Sequence, residues 1–185
     1  MGFNLGNPLV FLIDTLFGLY VLVLILRFIL QAVRADFYNP VSQFVWQVTN
    51  YPIGLLQRVI PRWRNYDIAS LALALVLAAL NIWIDLGFAG ARIGPLALLL
   101  WSLLKLAAFT LNLYFFSILI QAIMSWVNPG MPSPASAVLW SINEPLLKPV
   151  RNILPPIGGL DLSPLVVMIA IQVLLRSLPA LPGLL

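Results

Sequence analysis

The sequence predicts an all-helical membrane protein of about four transmembrane helices. They form two tandem parallel repeats, each with an amphipathic helical loop at the inner leaflet. Three observations predict this class. Of the 185 residues, 62% are apolar and 9% charged, with a mean hydropathy of +1.01. A soluble domain carries about 25% charged residues, so this chain cannot cover a water-facing surface. The apolar residues run in long Leu- and Ala-rich stretches without strand alternation, which selects helices over a barrel. The chain also matches itself. Displaced by 94 residues, Tyr20, Pro40, Ser42, Trp46, Pro61 and Asp67 fall on Tyr114, Pro134, Ser136, Trp140, Pro155 and Asp161. Each half, residues 1–94 and 95–185, is then one structural unit, and a site is expected between them.

In chain order, spans are predicted over Leu9–Val33, Ile68–Leu86, Leu96–Val127 and Leu162–Leu178. About 20 residues cross a bilayer, so the third stretch must tilt or project. The stretch from Met1 to Gly6 has no basic region and no small-residue cleavage site after it, so the first span is expected to be retained. Gly6 also breaks the myristoylation pattern that Gly2 would open. Two spans per repeat give both repeats one orientation, about an axis along the membrane normal. Arg34, Arg58, Arg62, Arg64, Lys148 and Arg151 lie in the two long loops, against Arg92, Lys105 and Arg176 toward the other ends. By the positive-inside rule, loops 34–67 and 128–161 are expected in the cytoplasm of a bacterial inner membrane, with both termini outside.

The long loops have structure of their own. Asn39-Pro40 and Ser133-Pro134 each read as an N-cap followed by proline at the first helical position. Val41, Phe44, Val45 and Val48 take one helix face, and Ser42, Gln43, Gln47 and Thr49 take the other. Ala135, Val138, Leu139 and Ile142 repeat the apolar spacing. Trp46 and Trp140 suit an interfacial depth. A second short amphipathic segment is predicted after each helix, ending at Pro61 and Pro155. Arg58, Lys148 and Arg151 would offer a basic face to head groups or a partner. These helices either lie flat on the leaflet or dip in as a re-entrant pair. Asp67 and Asp161 precede the second spans, where an acid favours a helix N-terminus. Gly158-Gly159 reads as a turn into the last span.

These residues resemble a known family. Leu26-Arg27, the run from Arg34 to Gln43, Arg58-Val59-Ile60-Pro61 and Asp67 are similar to the signature of the YggT family of bacterial membrane proteins. So are Met124 to Val127 and Pro145 to Arg151 in the second repeat. The likeness covers nearly the whole chain. Departures are Ala32 in place of an aromatic, Gln57 in place of a second basic residue, and a proline shifted by one at Tyr51-Pro52. The resemblance, which extends to the name YlmG in other bacteria, implies a link with osmotic-stress tolerance and ion homeostasis. It also implies neighbourhood to division genes in Gram-positive bacteria, and to cytochrome-complex assembly and nucleoid distribution in chloroplasts. It implies no catalytic residues.

Arg27 is the sharpest single candidate, because an arginine inside a span costs roughly 2.5–3.5 kcal/mol on insertion scales. Its repeat mate is Gln121. The two would face each other as a polar constriction if both face the pseudo-axis. Otherwise Arg27 snorkels to the head groups or ties to Asp67 or Asp161. Near the other surface, Asp14–Lys105 and Asp85–Arg176 are expected ion pairs holding helices together. Ala72, Ala74, Ala78 and Ala79 permit close helix packing.

The absence of His and Cys from the sequence leaves no zinc, haem or iron–sulfur ligand set, no expected cofactor and no His-based acid or base. An enzyme is therefore not expected. The charge of +4 points to anionic head groups rather than nucleic acid. Two classes remain. A scaffold or assembly factor would act through the loop helices on lipids, a second copy, or another membrane, division or stress protein. An ion-conducting protein would line a gap between repeats with Arg27, Gln121 and Asn112.

Overall fold

The computed structural model describes residues 8–60, 66–127, 133–154 and 161–179. The expected features at Pro61, Arg62, Arg64, Pro155 and Gly158-Gly159 lie outside them. Among the described residues six helices follow in order: α1 (Pro8–Ala32), α2 (Pro40–Leu56), α3 (Ile68–Phe88), α4 (Pro95–Val127), α5 (Pro134–Ile153) and α6 (Ser163–Ser177). Each repeat is thus a long helix, an amphipathic helix and a return helix.

Among the described residues, α1, α3 and the Pro95–Ser125 part of α4 are long and apolar enough to cross a membrane. The fourth expected span is shorter than the sequence pattern. Pro164 fixes the start of α6, and the helix ends before Leu178-Pro179, leaving 15 residues. At 1.5 Å per residue that is about 22 Å, against about 30 Å of hydrocarbon.

The loops also differ from expectation. Among its described residues each holds one continuous helix rather than two short segments. The helix α2 runs through Pro52, and α5 runs through Pro145 and Pro149. Their starts follow the sequence closely. Asn39 Oδ1 accepts from the Val41 amide at 2.9 Å, and Ser133 Oγ accepts from the Ser136 amide at 3.0 Å.

The core lies where α1 meets α3, with Val21, Leu24, Ile25, Ala74 and Ala78 fully buried. Small residues on α3 let the two backbones approach. A second apolar centre joins α4, α5 and α6 through Ile118, Leu147, Val167 and Ile171. The repeats pack chiefly through α3 against α4, and they also meet at the starts of their amphipathic helices, where Asn39 Nδ2 donates to the Pro134 carbonyl at 2.7 Å.

Two helix ends share one geometry. After α3, the Gly90 amide donates to the Gly87 carbonyl and the Ala91 amide to the Leu86 carbonyl, with Gly90 at φ +67°. After α1, the Arg34 amide donates to the Gln31 carbonyl and the Ala35 amide to the Leu30 carbonyl, with Arg34 at φ +55°. This double-bonded end normally takes glycine at the left-handed position. An L side chain there costs about 1 kcal/mol.

Candidate functional site

The sequence put Val41, Phe44, Val45 and Val48 on one face of α2 and Ser42, Gln43, Gln47 and Thr49 on the other. Burial does not follow that division. Ser42, Val45, Thr49 and Ile53 are buried, whereas Phe44 is 62% and Tyr51 81% exposed. In a lipid setting apolar side chains can face outward, and polar ones gain by turning toward buried partners. The partner here is Arg27.

Arg27 is 3% exposed. Its Nε donates to Asp67 Oδ2 at 3.0 Å and its Nη1 to Thr49 Oγ1 at 2.8 Å. The Thr49 hydroxyl in turn donates to the Val45 carbonyl at 2.6 Å. Asp67 is fully buried and also accepts from Ser70 Oγ at 2.6 Å and Gln57 Nε2 at 3.2 Å. The Trp46 ring centroid lies 4.0 Å from the guanidinium carbon. Burial pushes the Asp67 carboxyl up. The donors Ser70, Gln57 and Arg27 outweigh it and hold the group below its usual range. This network joins α1, α2 and α3. Asp67 sits at the α3 N-cap without capping a backbone amide, because its oxygens are committed to side chains.

The second repeat builds the matching place from other residues. Gln121 Oε1 accepts from Asn143 Nδ2 at 2.7 Å, and Asn143 Oδ1 accepts from Ser117 Oγ at 2.6 Å. Gln121 and Asn143 are the repeat mates of Arg27 and Thr49. Arg151, the mate of Gln57, donates to Asp161 Oδ2 at 3.0 Å and to Glu144 Oε2 at 3.1 Å. The Trp140 ring centroid lies 5.5 Å from the Arg151 guanidinium carbon. Burial raises the Asp161 carboxyl, but Ser163 and Arg151 bring it below its usual range. Asp161 also accepts from the Ser163 amide at 2.9 Å, so this acid does serve a helix start.

Arg27 and Gln121 therefore each bond within their own repeat and do not pair across the axis. Asn112 donates to the Ala108 carbonyl of its own helix at 2.9 Å and joins neither network. Arg58 and Lys148 are exposed, and Trp140 is 53% exposed.

The two matching segments settle the kinship. The CCB3/YggT family model matches residues 6–87 and again 100–181, starts that are 94 residues apart. This chain belongs to the CCB3/YggT family. It is 39% identical to the uncharacterized protein PA0392 of Pseudomonas aeruginosa, over 97% of this chain and 94% of that one. It is 46% identical to an uncharacterized protein of the proC 3′ region in Vibrio alginolyticus, over 90% of each. With the uncharacterized protein YggT of Escherichia coli K12 it shares 40% identity, over 91% of this chain and 87% of that one. No solved structure matches.

This YggT-family chain holds a second polar cluster near the opposite ends of α1 and α3. Asn81 Nδ2 donates to Asp14 Oδ1 at 2.7 Å, and Lys105 Nζ donates to Asn81 Oδ1. Asn81, Asp85 and Lys105 are all buried. The expected Asp14–Lys105 pair is thus bridged by Asn81 rather than direct. The expected Asp85–Arg176 pair is not formed among the described residues. Arg176 is exposed, while Asp85 lies beside Asp14 and Lys105. Sequence reasoning missed Thr49, Asn143 and Asn81. The signal was available for the first two, since a displacement of 94 lays polar Thr49 on polar Asn143.

Proposed function

We propose that this chain contributes to osmotic and ionic stress tolerance as a non-catalytic membrane scaffold, with α2 and α5 at the inner leaflet as its working surface. One observation carries the reading. The intramembrane arginine is neutralised by Asp67 and held by Thr49 and Trp46, while Phe44, Tyr51 and Trp140 turn outward from the amphipathic helices. A charge paired in this way serves packing, and outward aromatics serve lipid or a membrane partner. The basic residues Arg34, Arg58, Lys148 and Arg151 at the ends of α1, α2 and α5 support a cytoplasmic placement of these helices.

Potassium and anion flux across proteoliposomes under an osmotic gradient tests the reading. The scaffold predicts no flux above that of empty vesicles from folded, inserted protein. In cells it predicts crosslinks from photo-reactive residues at positions 44 and 51 to another membrane, division or stress protein. Flux abolished by Asn81→Leu or Lys105→Met would sink it. That outcome would favour a second reading, ion conduction, which the cluster of Asp14 with the buried Asn81, Asp85 and Lys105 within the spans supports.

A further inference from the structure

We infer that the elbow between α1 and α2 is a binding site for a phosphate-bearing anion, with a phospholipid head group as its expected occupant. A cavity of about 450 Å³ opens there. Arg27 and Leu30 line it from α1, Arg34 from the turn that follows, and Ser42, Val45 and Trp46 from α2.

Three features fit an anion with an apolar tail. Arg34 is exposed at the cavity and is held there in a left-handed backbone that ordinarily goes to glycine, as it does at Gly90. A charged residue retained where glycine would relax the chain is an outlier of the kind that marks a function. Ser42 Oγ is buried in the cavity wall with no hydrogen-bond partner, and the residue is 8% exposed. A buried hydroxyl of this kind is a donor waiting for an acceptor. Leu30, Val45 and the Trp46 ring supply apolar wall at the level where α1 ends, which suits the junction of head group and acyl chain.

The charge balance favours an anion. Asp67 neutralises Arg27 from behind, leaving Arg34 as the net positive charge lining the cavity. The nearby Asp36 spends one oxygen on the Tyr38 amide and does not line the cavity. The second repeat lacks the features. Its counterparts to Arg27 and Arg34 are Gln121 and Asn128, and its counterpart to Ser42 is Ser136, whose hydroxyl is engaged with Ser133. The site therefore belongs to the first repeat.

The test is unfolding of the full purified chain in neutral detergent while phosphatidylglycerol, phosphatidylcholine or inorganic phosphate is titrated. Phosphatidylglycerol is expected to raise the apparent midpoint, and phosphatidylcholine to raise it much less. Arg34→Gly keeps the left-handed backbone and so folds at least as well. It should weaken the phosphatidylglycerol response about tenfold in the concentration required. Ser42→Ala should weaken it about threefold. Inorganic phosphate that reproduces the shift, and loses it in Arg34→Gly, would make the free anion the occupant of the same site. Equal responses of wild type and Arg34→Gly to phosphatidylglycerol overturn the assignment. So does an equal loss in Arg176→Gln, which removes a positive charge far from the elbow.

Discussion

The two repeats solve one problem with the cation in different places. Each must satisfy an acid just before its return helix, Asp67 or Asp161. In the first repeat the cation comes from the span, as Arg27, and the amphipathic helix contributes the neutral Gln57. In the second the span contributes the neutral Gln121, and the amphipathic helix supplies the cation as Arg151. The tryptophan at the equivalent position receives the cation in both, Trp46 at 4.0 Å and Trp140 at 5.5 Å. Burial is what separates them. The first pair is 3% and 0% exposed, the second 29% and 35%. The same fold can therefore hold the charge deep, where it locks three helices, or shallow, where it is solvated and adjustable.

The largest expected effect breaks the deep pair. Arg27→Gln leaves Asp67 buried without its cation and should cost about 3–5 kcal/mol in equilibrium unfolding from mixed micelles. Arg151→Gln should cost under about 1 kcal/mol in the same assay, because its pair is part-exposed. Equal losses would end the contrast between the repeats. The double variant Arg27→Gln with Gln57→Arg rebuilds the first repeat on the plan of the second. It should recover about 2 kcal/mol of the single-variant loss, and the coupling between the two sites measures how far the plans are interchangeable. Thr49→Val removes the acceptor of Arg27 Nη1 and should cost about 1–2 kcal/mol. No loss there would mean that Asp67 and Trp46 alone hold the arginine.

Acid gives the smallest effect and the finest contrast. Both carboxyls are held below their usual range in the fold. Their contribution is therefore present above the ordinary carboxylate pKa and is lost as pH falls through the lowered folded value. Asp67→Asn should flatten the acid branch of a stability–pH curve more than Asp161→Asn does. The reverse ranking would place the stronger pair in the second repeat.

Much of the fold was legible because it rests on local chemistry. Asn39-Pro40 and Ser133-Pro134 start helices where the caps say they should, and three long apolar runs become the three span-length helices. The short α6 was less so. A hydropathy pattern counts Leu162 and Leu178 as span, but proline geometry trims the helix at both ends. The buried face of α2 was not legible because it mixes both residue classes, Val45 and Ile53 with Ser42 and Thr49. Ser42 and Thr49 read only as polar residues until Arg27 is known to lie beside them. The bridging role of Asn81 depends on helix rotation, which span assignment leaves open.

The hydrogen bond from Asn39 to the Pro134 carbonyl ties the start of one amphipathic helix to the start of the other. Ser133, the counterpart of Asn39, is turned to Ser136 instead, so the two halves are joined there unequally. Two identical half-chains meeting about a dyad would have to carry every residue twice, with an Arg27 on both sides or on neither. Covalent fusion releases the halves from that rule. One half is then free to specialise as the rigid anchor while the other keeps a softer, water-exposed latch.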